Sequence, residues 1–338
     1  MDDKRALLIG IDDYKSKKYA KLKGCVKDAE KLAQALELNA DKEQTKNFHV
    51  EIFSDCKSSK IAQSEIAKSK IESLFNSDGH KTMALLYFAG HGTTEVNGGQ
   101  IVFKDGSMLA METILAIVAQ SQILNKIILF DCCVSGQMGS DPFAPTTSKL
   151  PDGVTIMTAC TDKQNAGENT NGGIFTQLLV NALNGGAADF LGRITIGGIY
   201  AYIDKLLGAS NQRPVLKTNV RSFALMKQVA PQVSIKDLRK IVKIFERPEQ
   251  MYDLDSSYEP TNNPNHPDRP SNYHEPYADK KHTEIFAVLQ SMVKIGLVVP
   301  YHDDPKKQHM YFAAMDGKYC KLTEQGKLCW RLVKEKII

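Results

Sequence analysis

The sequence predicts an α/β fold: a mostly parallel, six-stranded sheet covered by helices, followed by a smaller α+β domain. Three observations predict it. Two short apolar runs, residues 83–89 and 126–130, each break at a glycine-containing or polar turn, as buried parallel strands do. Strand-like and helix-like segments alternate through the first 230 residues. The 338 residues are 42% hydrophobic and 24% charged, an ordinary balance for a chain that buries a large core.

The elements follow in order. Residues 5–11 read as the first strand. Residues 24–38 form an amphipathic helix with Val26, Ala29, Leu32, Ala33 and Leu36 on one face. Residues 48–54 alternate as a strand, and 59–75 carry Ile61, Ile66, Ile71 and Leu74 at helical spacing. The strand 83–89 precedes Gly90-His91-Gly92. A hairpin is expected over 95–105 around Asn97-Gly98-Gly99. A helix over 111–120 leads into the strand 126–130. Residues 136–152 hold three prolines, Pro142, Pro145 and Pro151, and read as an exposed loop. A strand over 154–160, helices over 174–183 and 199–207, and a last strand over 222–226 complete the first domain, 1–230.

Composition shifts after Pro231. Residues 235–245 read as a helix with a basic face. Residues 247–281 are rich in Pro, Asn, Asp and Tyr and read as a long irregular insertion. A striped helix over 283–295 follows, then strands over 297–301 and 310–314, a short strand from Cys320, and a helix from Glu324 capped by Thr323. This order resembles a winged-helix module, so 231–338 is expected to be a winged-helix-like domain.

Chemistry gathers where strands end. In open α/β sheets, sites lie beyond the carboxyl ends of the strands. His91 and Cys133 both follow such ends, which is what a Cys-His nucleophilic dyad needs. A thiol attacks a carbonyl as its thiolate, so a nearby imidazole must take its proton. The amides of Gly92 and Cys133 are candidates for an oxyanion hole. Cys132 is a second thiol beside Cys133. Side chains of successive strand residues point to opposite faces, so at most one of the two faces His91.

The chain resembles the caspase-like cysteine peptidases, particularly metacaspases and their prokaryotic relatives. The resemblance rests on Leu7-Leu8-Ile9-Gly10-Ile11, Gly24-Cys25-Val26-Lys27-Asp28-Ala29, Tyr87-Phe88-Ala89-Gly90-His91-Gly92 and Asp131-Cys132-Cys133-Val134-Ser135-Gly136. It extends to residues 158–168 and to Gly173-Ile174-Phe175-Thr176, covering about the first 230 residues. It implies a caspase-like sandwich with His91 as base and Cys133 as nucleophile. The family pattern Asp-Ser-Cys-His-Ser-Gly is altered here, with Cys132 for the serine and Val134 for the histidine.

In metacaspases, aspartates at the positions of Asp28 and Asp131 line an acidic pocket. The resemblance therefore implies cleavage of proteins or peptides after Arg or Lys. Lys149 is the only basic residue of the 136–152 loop and the candidate for self-cleavage. Asp12 and Asp13 follow the first strand, where they either reach the cleft or cap the next turn. No Cys/His spacing fits a metal, and no cofactor is implied. Calcium, used by some metacaspases, has no EF-hand spacing to support it. Cys25, Cys56, Cys160, Cys320 and Cys329 read as core residues.

The net charge of +4 makes nucleic acid an improbable partner. Residues 231–338 carry 17 Lys+Arg and 15 Asp+Glu, a net of only +2. An uneven set of cysteines, the absence of a secretory leader and the absence of an apolar stretch of membrane-spanning length point to the cytoplasm. The resemblance implies a regulated effector of prokaryotic stress or antiphage defence. Its activator, a nucleotide-like molecule, another small molecule or a protein, would act through the C-terminal region. The competing expectation is a catalytically silent scaffold that binds DNA or a protein.

Overall fold

The computed structural model describes residues 3–55, 63–76, 81–93, 99–132, 140–141, 144–148, 150–159, 168–169, 172–208, 214–265 and 272–338. It divides into two compact units, up to Ala230 and from Pro231 onward.

In the first unit the chain runs β1 (Asp3–Gly10), α1 (Cys25–Glu37), β2 (Phe48–Ser54), α2 (Ser64–Phe75) and β3 (Lys81–Ala89). It continues through β4 (Gly92–Thr93), β5 (Gln100–Val102), β6 (Met108–Ala110), α3 (Met111–Gln120) and β7 (Asn125–Asp131). Then come β8 (Ser140–Asp141), β9 (Ala144–Ser148), β10 (Val154–Thr158), β11 (Glu168–Asn169), β12 (Gly172–Gly173) and α4 (Ile174–Asn181). The unit closes with β13 (Arg193–Thr195), α5 (Ile196–Leu207), β14 (Val215–Asn219) and β15 (Leu225–Gln228).

The main sheet has six strands in the order β14-β10-β7-β3-β1-β2. All are parallel except β14, which pairs antiparallel with β10. The mostly parallel sheet covered by helices is therefore present. β3 shows why its sequence is apolar throughout. Met83, Leu85, Tyr87 and Ala89 enter the layer with α1, α4 and α5, while Ala84, Leu86 and Phe88 enter the layer with α2 and α3. A strand buried on both faces has no polar face to show. Phe88 meets Phe103 and Phe130 edge-on at 6.2 and 6.1 Å, the arrangement that aromatic quadrupoles favour.

Close packing fixes β1 against α1. A Cβ on Gly10 would lie 2.5 Å from the Cys25 carbonyl oxygen and 2.9 Å from the Val26 Cα. At the far end of α1, Lys227 Nζ donates to the Ala35 carbonyl at 2.6 Å. A cation suits the carbonyl end of a helix, although burial holds this lysine below its usual range.

Several edges differ from the sequence reading. The sixth strand is residues 215–219, not 222–226. β14 is an edge strand with half-exposed side chains, so no apolar run marks it. Residues 225–228 instead pair with β13 in a separate two-stranded sheet. The hairpin expected over 95–105 is one part of a three-stranded sheet, β4-β5-β6. The expected loop contains the paired strands β8 and β9. Residues 56–62 lie outside the described set, and the second helix begins at Ser64 among the described residues.

The second unit runs α6 (Ile235–Leu238), α7 (Ile241–Ile244), β16 (Met251–Asp253), α8 (Lys280–Lys294), β17 (Val298–Tyr301), α9 (Met310–Met315), β18 (Tyr319–Leu322) and α10 (Glu324–Lys334). The expected wing does not form as read, because residues 310–314 are helical. Met310, Ala313 and Ala314 are buried at i, i+3 and i+4, a helical spacing. β18 takes the place of that strand and lies between β16 and β17. The expected irregular insertion thus contributes a strand, β16. It also contains Asn262, whose side chain donates to the carbonyls of Ser256, His274 and Pro276 at 3.0, 2.8 and 3.1 Å.

Candidate active site

His91 is placed by β3 and by the loop between β1 and α1. After Ala89 the chain passes through Gly90, where a Cβ would lie 2.7 Å from Tyr14 Oη and 2.8 Å from Phe88 Cζ, so only glycine fits. The His91 N–H donates to Tyr14 Oη at 2.8 Å, and that hydroxyl donates to the Ile11 carbonyl at 3.3 Å. Burial pushes the Tyr14 phenol far above its usual range, so the hydroxyl stays protonated. The imidazole packs against the rings of Tyr14 and Tyr19, with centroids 4.8 and 5.5 Å away.

Nε2 of His91 lies 2.8 Å from the Ala20 carbonyl oxygen. A carbonyl only accepts, so Nε2 carries the hydrogen and Nδ1 of the neutral ring keeps its lone pair. A backbone oxygen thereby sets the tautomer. Gly92 follows in β4, paired with Ile101.

Asp28 and Asp131 meet on one side of the sheet. Asp28 stands in the first turn of α1 and Asp131 ends β7, and both are buried at 2% and 8% exposure. Thr176 Oγ1 donates to Asp131 Oδ2 at 2.8 Å, which leaves the Tyr87 hydroxyl to donate to Thr176 Oγ1 at 2.6 Å. The Gly173 N–H donates to Asp28 Oδ2 at 2.7 Å. A Cβ on Gly173 would overlap Asp131 Oδ2 and touch Asp28 Oδ2 at 3.4 Å. One glycine of β12 therefore covers both carboxylates. The sequence reading expected these two acids to line an acidic, partly desolvated pocket; here both are buried, with Gly173 against them. Desolvation first, then the charges of Asp131 and Asp28, raise the Tyr87 phenol well above its usual range.

Cys132 is 1% exposed and packs in the α2/α3 layer with Phe88 and Phe130. Cys133 and Lys149 lie outside the described residues, as do Cys56 and Cys160. Cys25, Cys320 and Cys329 are buried. Asp12 Oδ1 accepts the Cys25 N–H at 2.8 Å, so it caps the start of α1. Asp13 faces Lys104 at 3.2 Å. Among the described residues no cluster of three or more His, Cys, Asp or Glu could hold a metal, and no helix is long and apolar enough to cross a membrane.

Tyr14, Ala20, Tyr87 and Thr176 were not singled out by sequence reasoning. Tyr14 and Ala20 sit in an irregular loop, and Ala20 acts through its backbone, which leaves no signature in side-chain chemistry. Thr176 lay within a matching segment but carried no pattern of its own.

A parallel sheet of this order, with a histidine beyond one central strand and two aspartates beside the next, defines a cysteine peptidase-like fold. The chain belongs to the caspase domain family, whose sequence profile matches residues 3–247. Among solved structures it is similar to caspase-1 from Spodoptera frugiperda, with 14% identity and a TM-score of 0.51 over 67% of this chain and 92% of that one. At that identity the likeness is one of fold. A protein from Geobacter sulfurreducens is also similar, with 18% identity and a TM-score of 0.48 over 68% of this chain and 98% of that one. No curated protein sequence matches the chain significantly.

Proposed function

We propose that this chain is a cysteine endopeptidase that works through a His91–Cys133 dyad. The observation that carries the reading is the histidine: its backbone is held by Tyr14, its ring by two tyrosines, and its tautomer by Ala20. Strand register supports the partner. Ala89 pairs with Asp131, and His91 and Cys133 each follow these residues by two positions. Cys132 is buried among the apolar residues of the α2/α3 layer, which favours Cys133 as the thiol for the role.

In this reading the Cys133 thiol gives its proton to Nδ1, and the thiolate attacks the scissile carbonyl carbon. The amides of Gly92 and Cys133 hold the resulting oxyanion. Collapse breaks the C–N bond as the imidazolium protonates the leaving amine. Water, deprotonated by His91, then hydrolyses the thioester and restores the thiol. Tyr14→Phe removes the acceptor of the His91 N–H. It is expected to lower kcat about tenfold, roughly the worth of one hydrogen bond in the reacting geometry, with KM unchanged. Steady-state kinetics on one peptide checks this.

Asp28 and Asp131 select Arg or Lys before the scissile bond, once β12 moves off them. Fluorogenic peptides ending in Arg, Lys or Asp test the specificity. Release is expected after Arg and Lys only, and Asp28→Asn is expected to lower kcat/KM on the Arg peptide about tenfold or more. Cleavage confined to the Asp peptide sinks the assignment. Lys149 is then the candidate site of self-cleavage. The wider role is a regulated effector of prokaryotic stress or antiphage defence in the cytoplasm, switched by a ligand or protein acting on residues 231–338. The chain uses no resident cofactor or metal in this reading. Absence of hydrolysis with and without cell extract would favour the silent scaffold instead.

A further inference from the structure

The loop that touches His91 is also the most basic stretch of the chain. Residues 15–27 contain Lys15, Lys17, Lys18, Lys21, Lys23 and Lys27 and no acidic residue. All six lysines are exposed. At the centre of the run, Ala20 accepts from the imidazole and Tyr19 packs on it. Lys18 Nζ lies 5.6 Å from the centroid of that same Tyr19 ring. Asp13 lies 3.9 Å from Lys21 but is the closer partner of Lys104. Among the described residues Lys15, Lys17, Lys23 and Lys27 form no ion pair.

Like charges at this density repel one another, and among the described residues no ion pair offsets that for four of the six. Their effect is a positive potential projected beside the reacting histidine. The first unit therefore presents two fields of opposite sign: the buried pair Asp28 and Asp131, and the lysine rim. A wholly basic segment is drawn by the acids and repelled by the rim. A segment with one basic side chain set among acidic neighbours satisfies both.

We propose that the 15–27 segment, the loop before α1 and its first residues, is a second specificity element, which selects substrates with Asp or Glu close to the scissile bond around a single basic residue. The inference deepens the peptidase reading and rests on it for the place of the scissile bond. A peptide fits better than a nucleic acid for two reasons. A carboxylate paired with Lys18 lies near Tyr19, whose ring packs on the imidazole. The net charge of the whole chain is only +4, which offers no longer basic track for a phosphate backbone.

The test is binding, so it requires no turnover. Full-length Cys133→Ala protein is titrated against fluorescein-labelled peptides with one Arg flanked by Asp/Glu, by Asn/Gln or by Lys. At about 50 mM salt the acidic-flanked peptide is expected to bind about tenfold tighter than the neutral one, and the Lys-flanked peptide most weakly. At about 500 mM salt the spread is expected to fall to about twofold. Adding Lys15→Gln, Lys17→Gln and Lys23→Gln together is expected to close the gap at low salt. Equal binding of acidic and neutral peptides, at any affinity, overturns the proposal, as does a gap that survives the triple substitution. A single-stranded oligonucleotide that outcompetes the acidic peptide, and loses its affinity in the triple variant, overturns it in favour of a polyanion site. Hydrolysis retained by Cys133→Ala would refute the dyad while leaving the binding comparison intact.

Discussion

Cys133→Ala is expected to lower kcat/KM on any cleaved peptide by at least about three orders of magnitude, because covalent catalysis is removed rather than weakened. His91→Ala should fall equally far, and the double variant no further, since the two groups act as one unit. Cys132→Ala provides the contrast. Its side chain is buried in the same apolar layer as Phe88 and Phe130, so its loss should act on stability, by about 1 kcal/mol for a small buried side chain, and leave turnover in place. Parallel kinetics and thermal melts of the four variants separate the thiols. If Cys132→Ala is the silent enzyme and Cys133→Ala the active one, the strand alternation has been misassigned and the site must be rebuilt on the other face of the sheet.

Gly10→Ala is expected to destabilise the first unit by about 3 kcal/mol, at the upper end of overpacking effects. The added methyl meets the Cys25 carbonyl oxygen at 2.5 Å and the Val26 Cα at 2.9 Å, both backbone atoms that cannot swing aside. α1 must then lift from β1, and Asp28 in its first turn moves with it. The unfolding midpoint of that unit should drop by roughly 6–12 °C. Selectivity for Arg over neutral residues should fall with it, because one of the two carboxylates is displaced. Calorimetry together with the peptide panel checks both effects, and an unchanged midpoint would mean that the helix accommodates the methyl at no measurable cost.

The strands of the sheet centre were legible because burial on both faces leaves continuous apolar text, as in residues 83–89 and 126–130. The edge strand β14 was not, since half its surface meets solvent and Val215-Leu216-Lys217-Thr218-Asn219 reads like any connecting segment. The same limit applied to the expected wing: Met310 to Met315 is as apolar as a strand, and only the buried positions at i, i+3 and i+4 reveal a helix. In the site, His91, Asp28 and Asp131 stood out through side-chain chemistry and family pattern. What holds them did not. Tyr14 is distant from His91 along the chain and follows no spacing rule. Ala20 contributes a carbonyl that any residue would possess. Gly173 matters through the space it leaves, and a sequence records no empty volume.

That glycine has a consequence for latency. On the proposed reading, the proton-handling half of the machinery stands ready while the recognition half is stoppered by a two-residue strand. A resting copy is then armed yet blind: its safety catch governs whom it meets rather than what it can do. Any signal able to tug Gly172 and Gly173 aside would release selectivity and destruction in a single stroke, with no need to rebuild the chemistry beneath.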